Sequence, residues 1–90
     1  MIIRYTREFL SLLKKQKVII RKNFKNAIEE FSQNPDNPIL NNHALKREWE
    51  GYRSINVTED WRSIYTEIRF ADGVMVVYFV TLGTHKDLYK

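Results

Sequence analysis

Two histidines, forty-two positions apart, can exchange protons near neutral pH in this ninety-residue chain. His85 follows Gly83-Thr84, just beyond the apolar run Val74 to Val80, so its ring is displayed at a strand end rather than packed. Tyr89 comes four residues later, and one helical turn would bring phenol and imidazole together. Packing of Leu88 and Tyr89 on a sheet would explain the same turn equally well. His43 lies in "NNHALKREW", read as a loop, where an imidazole serves as acid or base or simply faces water. Asp60 and Arg62, in "EDWRSIY", share strand parity and should point the same way, either as a local ion pair or as part of a site. Ile64 and Ile68 have that parity too, and a buried, unpaired guanidinium is very costly. Arg62 is therefore expected near the open end of its strand, paired with Asp60, or in a polar concavity.

Other chemistries drop out. The chain has no Cys, hence no disulfide framework and no thiolate metal site. Two separated His with scattered carboxylates match no usual metal-ligand spacing, so no metal and no cofactor are expected. Three Gly provide no phosphate-cradling loop, and no nucleophile elbow is present. The remaining His, Asp, Arg and Tyr suit phosphodiester cleavage without a metal. One group takes the proton of a ribose 2′-OH, an Arg neutralises charge growing on phosphorus, and another group protonates the leaving oxygen. RNA supplies its own nucleophile.

The scaffold is basic, with a net charge of +4 and a pI near 9.5. Residues 1–33 hold eight Lys/Arg against three Glu, so the excess sits in the first third. Lys14, Lys15, Lys17, Arg21, Lys22 and Lys25 form a basic helix face, suited to a polyanion or simply to water. Arg4, Arg7 and Glu8 interrupt any signal-peptide core, and the longest apolar run is too short to cross a membrane, so a cytoplasmic protein with no membrane partner is expected.

These side chains need a frame. "MIIRY" reads as a first strand, and Thr6 caps a helix with Phe9, Leu10, Leu12 and Leu13 on one side. A break near Gln16–Val18 leads into a second helix from Ile19 to Ser32, with Ile20, Phe24, Ala27, Ile28 and Phe31 at helical spacing. The pair should form a hairpin that ends at "NPDNP". Three strands follow: Tyr52–Val57, the "EDWRSIYTEIRF" run, and Val74–Leu82 after the turn "ADG". The last is apolar on both faces, so a central strand covered on both sides is expected. Trp61 and Tyr65 should pack under the helices. The fold class is α+β, with an N-terminal strand, a helical hairpin and a three-stranded antiparallel meander forming one domain over residues 1–90.

The pieces "HALKREWEGYR", "DWRSIY" and "GTHKDLY" resemble the RelE/ParE superfamily of bacterial type II toxins, most closely the YafQ-like mRNA interferases. The likeness runs from about Asn41 to Tyr89, and the first forty residues fit in layout only. It implies a RelE-like fold and a metal-independent endoribonuclease that cuts mRNA on the ribosome. It also implies a cognate antitoxin partner, with operator DNA reached only through the antitoxin complex. The catalytic positions so implied are His43, Asp60, His85 and Tyr89, while Trp61 matches a family Trp. The chain departs from the family at Asn56, where a second His is usual, and at Thr81, where an Arg is usual. Arg62 matches an Arg of the RelE branch, and Arg53 is a second candidate for that charge. The basic helix face would dock on ribosomal RNA. A gyrase poison of the ParE kind, or a degenerate module that binds only antitoxin and DNA, is the alternative.

Overall fold

The computed structural model describes residues 1–89. Strand β1 (Ile2–Tyr5) leads through Thr6 into helix α1 (Arg7–Lys14), where the Thr6 hydroxyl accepts from Phe9 N at 3.1 Å as an N-cap. Lys17 turns extended and starts helix α2 (Val18–Gln33). The helix stops at Asn34 because Pro35 disfavours helical backbone before it. Strands β2 (His43–Ala44), β3 (Tyr52–Asn56), β4 (Trp61–Arg69) and β5 (Met75–Thr84) follow, then a single turn α3 (His85–Leu88). Short 3-10 turns at Pro38–Leu40 and Arg47–Trp49 flank β2.

The strands form one five-stranded sheet in the order β1-β5-β4-β3-β2. The expected meander is there, enlarged at both edges: β1 adds in parallel to β5, and β2 adds antiparallel to β3. His43 is thus a strand residue, not a loop residue. Local pattern hid β2 because two residues carry no periodicity, and it exists only through its pairing with β3.

Both helices lie on one face of the sheet. Phe9, Phe24, Ala27 and Phe31 meet Ile55, Tyr65, Val77, Phe79 and Leu82 there. Phe79 stands at the centre, with the rings of Tyr5, Phe9, Phe24, Phe31 and Tyr65 all within 6.0 Å of its own. A register shift between Ile64 and Tyr65 leaves Val80 as an extra residue on β5. That bulge lets both Phe79 and Leu82 face the helices although they are three apart.

Strand β5 is central, between β1 and β4. Its second face is not covered throughout, contrary to expectation. Its last residues are roofed by α3, whose Leu88 side chain sits over Gly83, while Val76 on the same face is buried among its neighbours in the sheet. Lower down, Tyr78 and Val80 are half-buried with no helix above them. An apolar strand pattern shows that both faces are shielded to some degree, but not by what.

Candidate active site on the open sheet face

Register decides which side chains share a face. Ser54 pairs with His43 on one side and Ile64 on the other, and Ile64 pairs with Thr81. One row further on, Asn56 pairs with Arg62, which pairs with Gly83. Ile55 and Leu82 enter the helix-side core, so these neighbours project to the opposite, open side.

His43 is held at the edge of this face. Its Nδ1 lies 2.8 Å from the Asn41 carbonyl oxygen. A carbonyl only accepts, so Nδ1 carries the hydrogen, and in the neutral ring the free lone pair is on Nε2. Asn42 anchors the backbone behind it. Its Nδ2 donates to Pro35 O at 3.0 Å, its Oδ1 accepts from Arg53 Nε at 3.0 Å, and it shares hydrogen bonds with the Tyr65 hydroxyl. Burial pushes the Tyr65 phenol above its ordinary pKa, against a smaller lowering from Asn42 and Arg53. The hydroxyl therefore stays protonated as a donor. Arg53 also lies 4.0 Å from Glu67 Oε1, in the one ion pair among the described residues. It shares the helix side with Tyr65, its partner in register. The sheet thus separates Arg53 from the histidines.

The second histidine is delivered by α3. The Thr84 hydroxyl caps this turn by accepting from Asp87 N at 3.1 Å, and His85 N donates to the Asp60 carbonyl at 2.9 Å. Tyr89 N closes the turn on His85 O at 3.1 Å. The two rings meet edge-on with centroids 4.7 Å apart, as the four-residue spacing predicts. The Tyr89 hydroxyl then bonds Ser54 Oγ at 2.9 Å, and Trp49 Nε1 donates to Leu88 O at 3.2 Å. Contacts thus run from His85 through Tyr89 to Ser54, whose cross-strand neighbour is His43.

Gly83 makes this closure possible. A Cβ there would stand 3.3 Å from Leu88 Cδ2 and 3.4 Å from Leu88 Cγ. Gly83→Val is therefore expected to push α3 off the sheet and destabilise the fold by about 1–3 kcal/mol. Trp49 emission should shift red as its bond to Leu88 O is lost. Unchanged emission and stability would mean that α3 is not seated by this contact.

Asp60 departs from expectation, whereas Arg62 meets one of its expected alternatives. Asp60 precedes β4 and lies in a turn organised by the Thr58 hydroxyl, which accepts from Asp60 N at 3.3 Å and Trp61 N at 3.0 Å. No strand parity applies there, and no Asp60–Arg62 ion pair forms among the described residues. Arg62 does stand near the open end of its strand. Its Nη1 donates to Thr58 O at 2.9 Å and Trp61 O at 3.0 Å, leaving Nη2 and Nε for other partners. Across from it, Asn56 Oδ1 is buried without a hydrogen-bond partner. Among the described residues no three His, Asp or Glu side chains converge to hold a metal ion.

The fold therefore gathers His43, Arg62, His85 and Tyr89 on one face, with Asp60 tied to His85 through the backbone. Lys14, Lys15, Lys17, Arg21, Lys22 and Lys25 are exposed on the helix layer or its connecting turn, on the other side of the sheet. Sequence reasoning missed Ser54, Asn42 and Trp49, which hold the site together. The signal for Ser54 was available, since it shares strand parity with Asn56. It also missed Lys46 and Arg47, which line a cavity of about 170 Å³ with Trp49, Leu88 and Tyr89. Arg47 has a left-handed φ of 58°, an uncommon conformation for a non-glycine residue. A larger groove of about 640 Å³ lies elsewhere, between α2, Ile39 and the β3–β4 turn, and neither histidine lines it.

Comparison with known proteins bears on the family and the fold. A family profile described as "Bacterial toxin of type II toxin-antitoxin system, YafQ" matches residues 2–90, well beyond the stretch from Asn41. No curated protein matches the chain by sequence. Among solved structures, YafQ from E. coli strain BL21(DE3) is 26% identical, covering 98% of this chain and 97% of that one, with a TM-score of 0.72. The E. coli DinJ–YafQ complex matches at 26% identity over 98% and 97% of the chains, with a TM-score of 0.69. A YoeB/ParE toxin from Agrobacterium tumefaciens is 15% identical over 94% and 99%, with a TM-score of 0.74, a likeness of fold alone. With residues 2–90 matched and its sheet, hairpin and closing turn in place, the chain belongs to the YafQ family of bacterial toxins of type II toxin–antitoxin systems.

Proposed function

We propose that this toxin is an endoribonuclease that cuts mRNA on the ribosome by general acid–base catalysis. The observation that carries this reading is the contact chain His85–Tyr89–Ser54 ending beside His43, on a face that also presents Arg62. His43, with Nε2 open, takes the proton of the ribose 2′-OH. The 2′ oxygen attacks phosphorus and the bond to the 5′ oxygen breaks. His85 in its protonated form gives that oxygen a proton, leaving a 2′,3′-cyclic phosphate and a 5′-hydroxyl. Arg62 neutralises the charge gathering on the phosphoryl oxygens through its uncommitted donors. Asp60 positions His85 through the carbonyl that accepts from His85 N, and Tyr89 orients the His85 ring. No step calls for a metal.

The exposed lysines and arginines of the helix layer would hold ribosomal RNA while the open face meets mRNA, so association should weaken with salt. A cognate antitoxin is the expected protein partner, since the related E. coli YafQ is found in complex with DinJ. Operator DNA would be reached through that complex.

The test is to map mRNA 5′ ends after induction of the toxin. New ends dependent on translation support the reading. Supercoiling defects with intact mRNA would overturn it in favour of a gyrase poison, the reading that Asn56 and Thr81 favour because neither supplies a transferable proton or a charge. Arg62→Gln is expected to lower cleavage about 10²–10³-fold with little loss of stability. Wild-type cleavage by that variant would remove Arg62 from the mechanism. Tyr89→Phe loses only the hydrogen bond to Ser54 and keeps the ring, so a loss of about tenfold or less is expected. A loss as large as that of a histidine variant would give the phenol a direct chemical role.

A further inference from the structure

A row of side chains beyond the histidines has no role in the chemistry. Tyr52 pairs with Thr66, Thr66 with Tyr78, and Tyr78 with Arg4. Their chain neighbours Arg53, Tyr65, Phe79 and Tyr5 turn toward the helices, so all four project onto the open face. Tyr52, Thr66 and Tyr78 are half-buried, and Arg4 is exposed. The row crosses four strands, a span of about 14 Å at the usual strand spacing. It lies two residues along the strands from Ser54 and Ile64, about 7 Å from the histidine row. At one end the Trp49 ring stands edge-on to Tyr52 with centroids 5.5 Å apart. Trp49 also lines the small cavity with Lys46, Arg47 and Tyr89, so row and site are continuous.

A packing role does not require this composition. Tyr rings laid across an open sheet with Arg4 at one end, and with Lys46 and Arg47 beside a single Glu48 at the other, offer π-faces flanked by net positive charge. No acidic side chain belongs to the row. Single-stranded RNA presents the complement, apolar base faces on a negative backbone, and sheet-borne aromatic residues stack unpaired bases.

We propose that Tyr52, Tyr78 and Arg4 form a track for single-stranded RNA leading away from the histidine site. The track rests on the nuclease reading, because it binds the nucleotides on one side of the scissile bond. Tyr52 and Tyr78 each stack a base, and Arg4 meets a phosphate at the far end.

The test uses the full-length toxin and a fluorescein-labelled 12-nucleotide RNA, 2′-O-methylated throughout so that it has no nucleophile. A 4-nucleotide RNA of the same chemistry serves as control. Tyr52→Leu and Tyr78→Leu are each expected to weaken binding of the 12-mer about tenfold. Binding of the 4-mer, which occupies only the histidine corner, should be unchanged. Arg4→Gln should lower the salt dependence of 12-mer binding by about one phosphate contact. Circular dichroism of each variant checks the fold. Wild-type 12-mer affinity in the Tyr52→Leu/Tyr78→Leu double variant overturns the track, as does equal loss for both RNAs or an absence of RNA binding by the wild type. If the double variant keeps RNA affinity but escapes neutralisation by a co-expressed antitoxin, the face is a protein-binding surface and the track is likewise overturned. These outcomes separate from failure of the nuclease itself, which would appear as intact mRNA in induced cells whatever the rings do.

Discussion

His85→Ala is expected to abolish growth arrest on induction without antitoxin, with mRNA cleavage reduced about 10²–10⁴-fold. The expectation follows from where the imidazole stands. It is exposed, it lies on a capped turn whose amide is bonded to Asp60 O, and its ring touches Tyr89 rather than the core. Removing it leaves no cavity, so stability should change by no more than about 0.5 kcal/mol, as for other exposed positions. That separation makes the experiment decisive. A folded variant that has lost cleavage places His85 in the chemistry. A folded variant that cuts and kills like the parent removes the proton donor from the scheme. His43→Ala should lose a similar factor and should not add fully to His85→Ala, since both serve one reaction.

Phe79→Ala should have the largest effect on stability. The ring is fully buried and touches aromatic side chains from β1, α1, α2 and β4 at once. Truncating such a residue costs about 3–5 kcal/mol. A domain of this length has roughly 5–10 kcal/mol in total. The variant should therefore unfold at much lower urea, or not fold at 37 °C. Ile19→Ala is the control. Ile19 is 61% exposed and should shift the midpoint little. A Phe79→Ala loss below about 1 kcal/mol would mean that the core can collapse around the gap, and that the ring cluster is not the joint between helices and sheet.

Much of this is legible in the sequence alone. Thr6 as a cap, the break before Val18, the stop at Pro35 and the turn at Gly73 are local events, set by side-chain hydrogen bonding and backbone sterics within a few residues. The spacing of His85 and Tyr89 was legible for the same reason, because one helical turn fixes where residue four lands. The polar residues of the site were readable as types with no simple packing role. Which of them meet was not. Asp60 was assigned a strand parity that it lacks, because the end of the β3–β4 turn depends on the Thr58 hydroxyl. Arg62 ranks ahead of Arg53 by resemblance only, and nothing local says which face either takes.

By itself the sequence determined the helices, the turns and the residue types from which an acid–base site could be assembled, since each depends on neighbours along the chain. Only the tertiary structure decided that Arg62 shares the sheet face of His43 while Arg53 lies on the other face, and that Asn42 and Ser54 hold the two histidine-bearing segments in place. The physical reason is register. A one-residue slip in strand pairing turns every side chain to the other face, and that pairing is fixed by contacts between segments far apart in sequence.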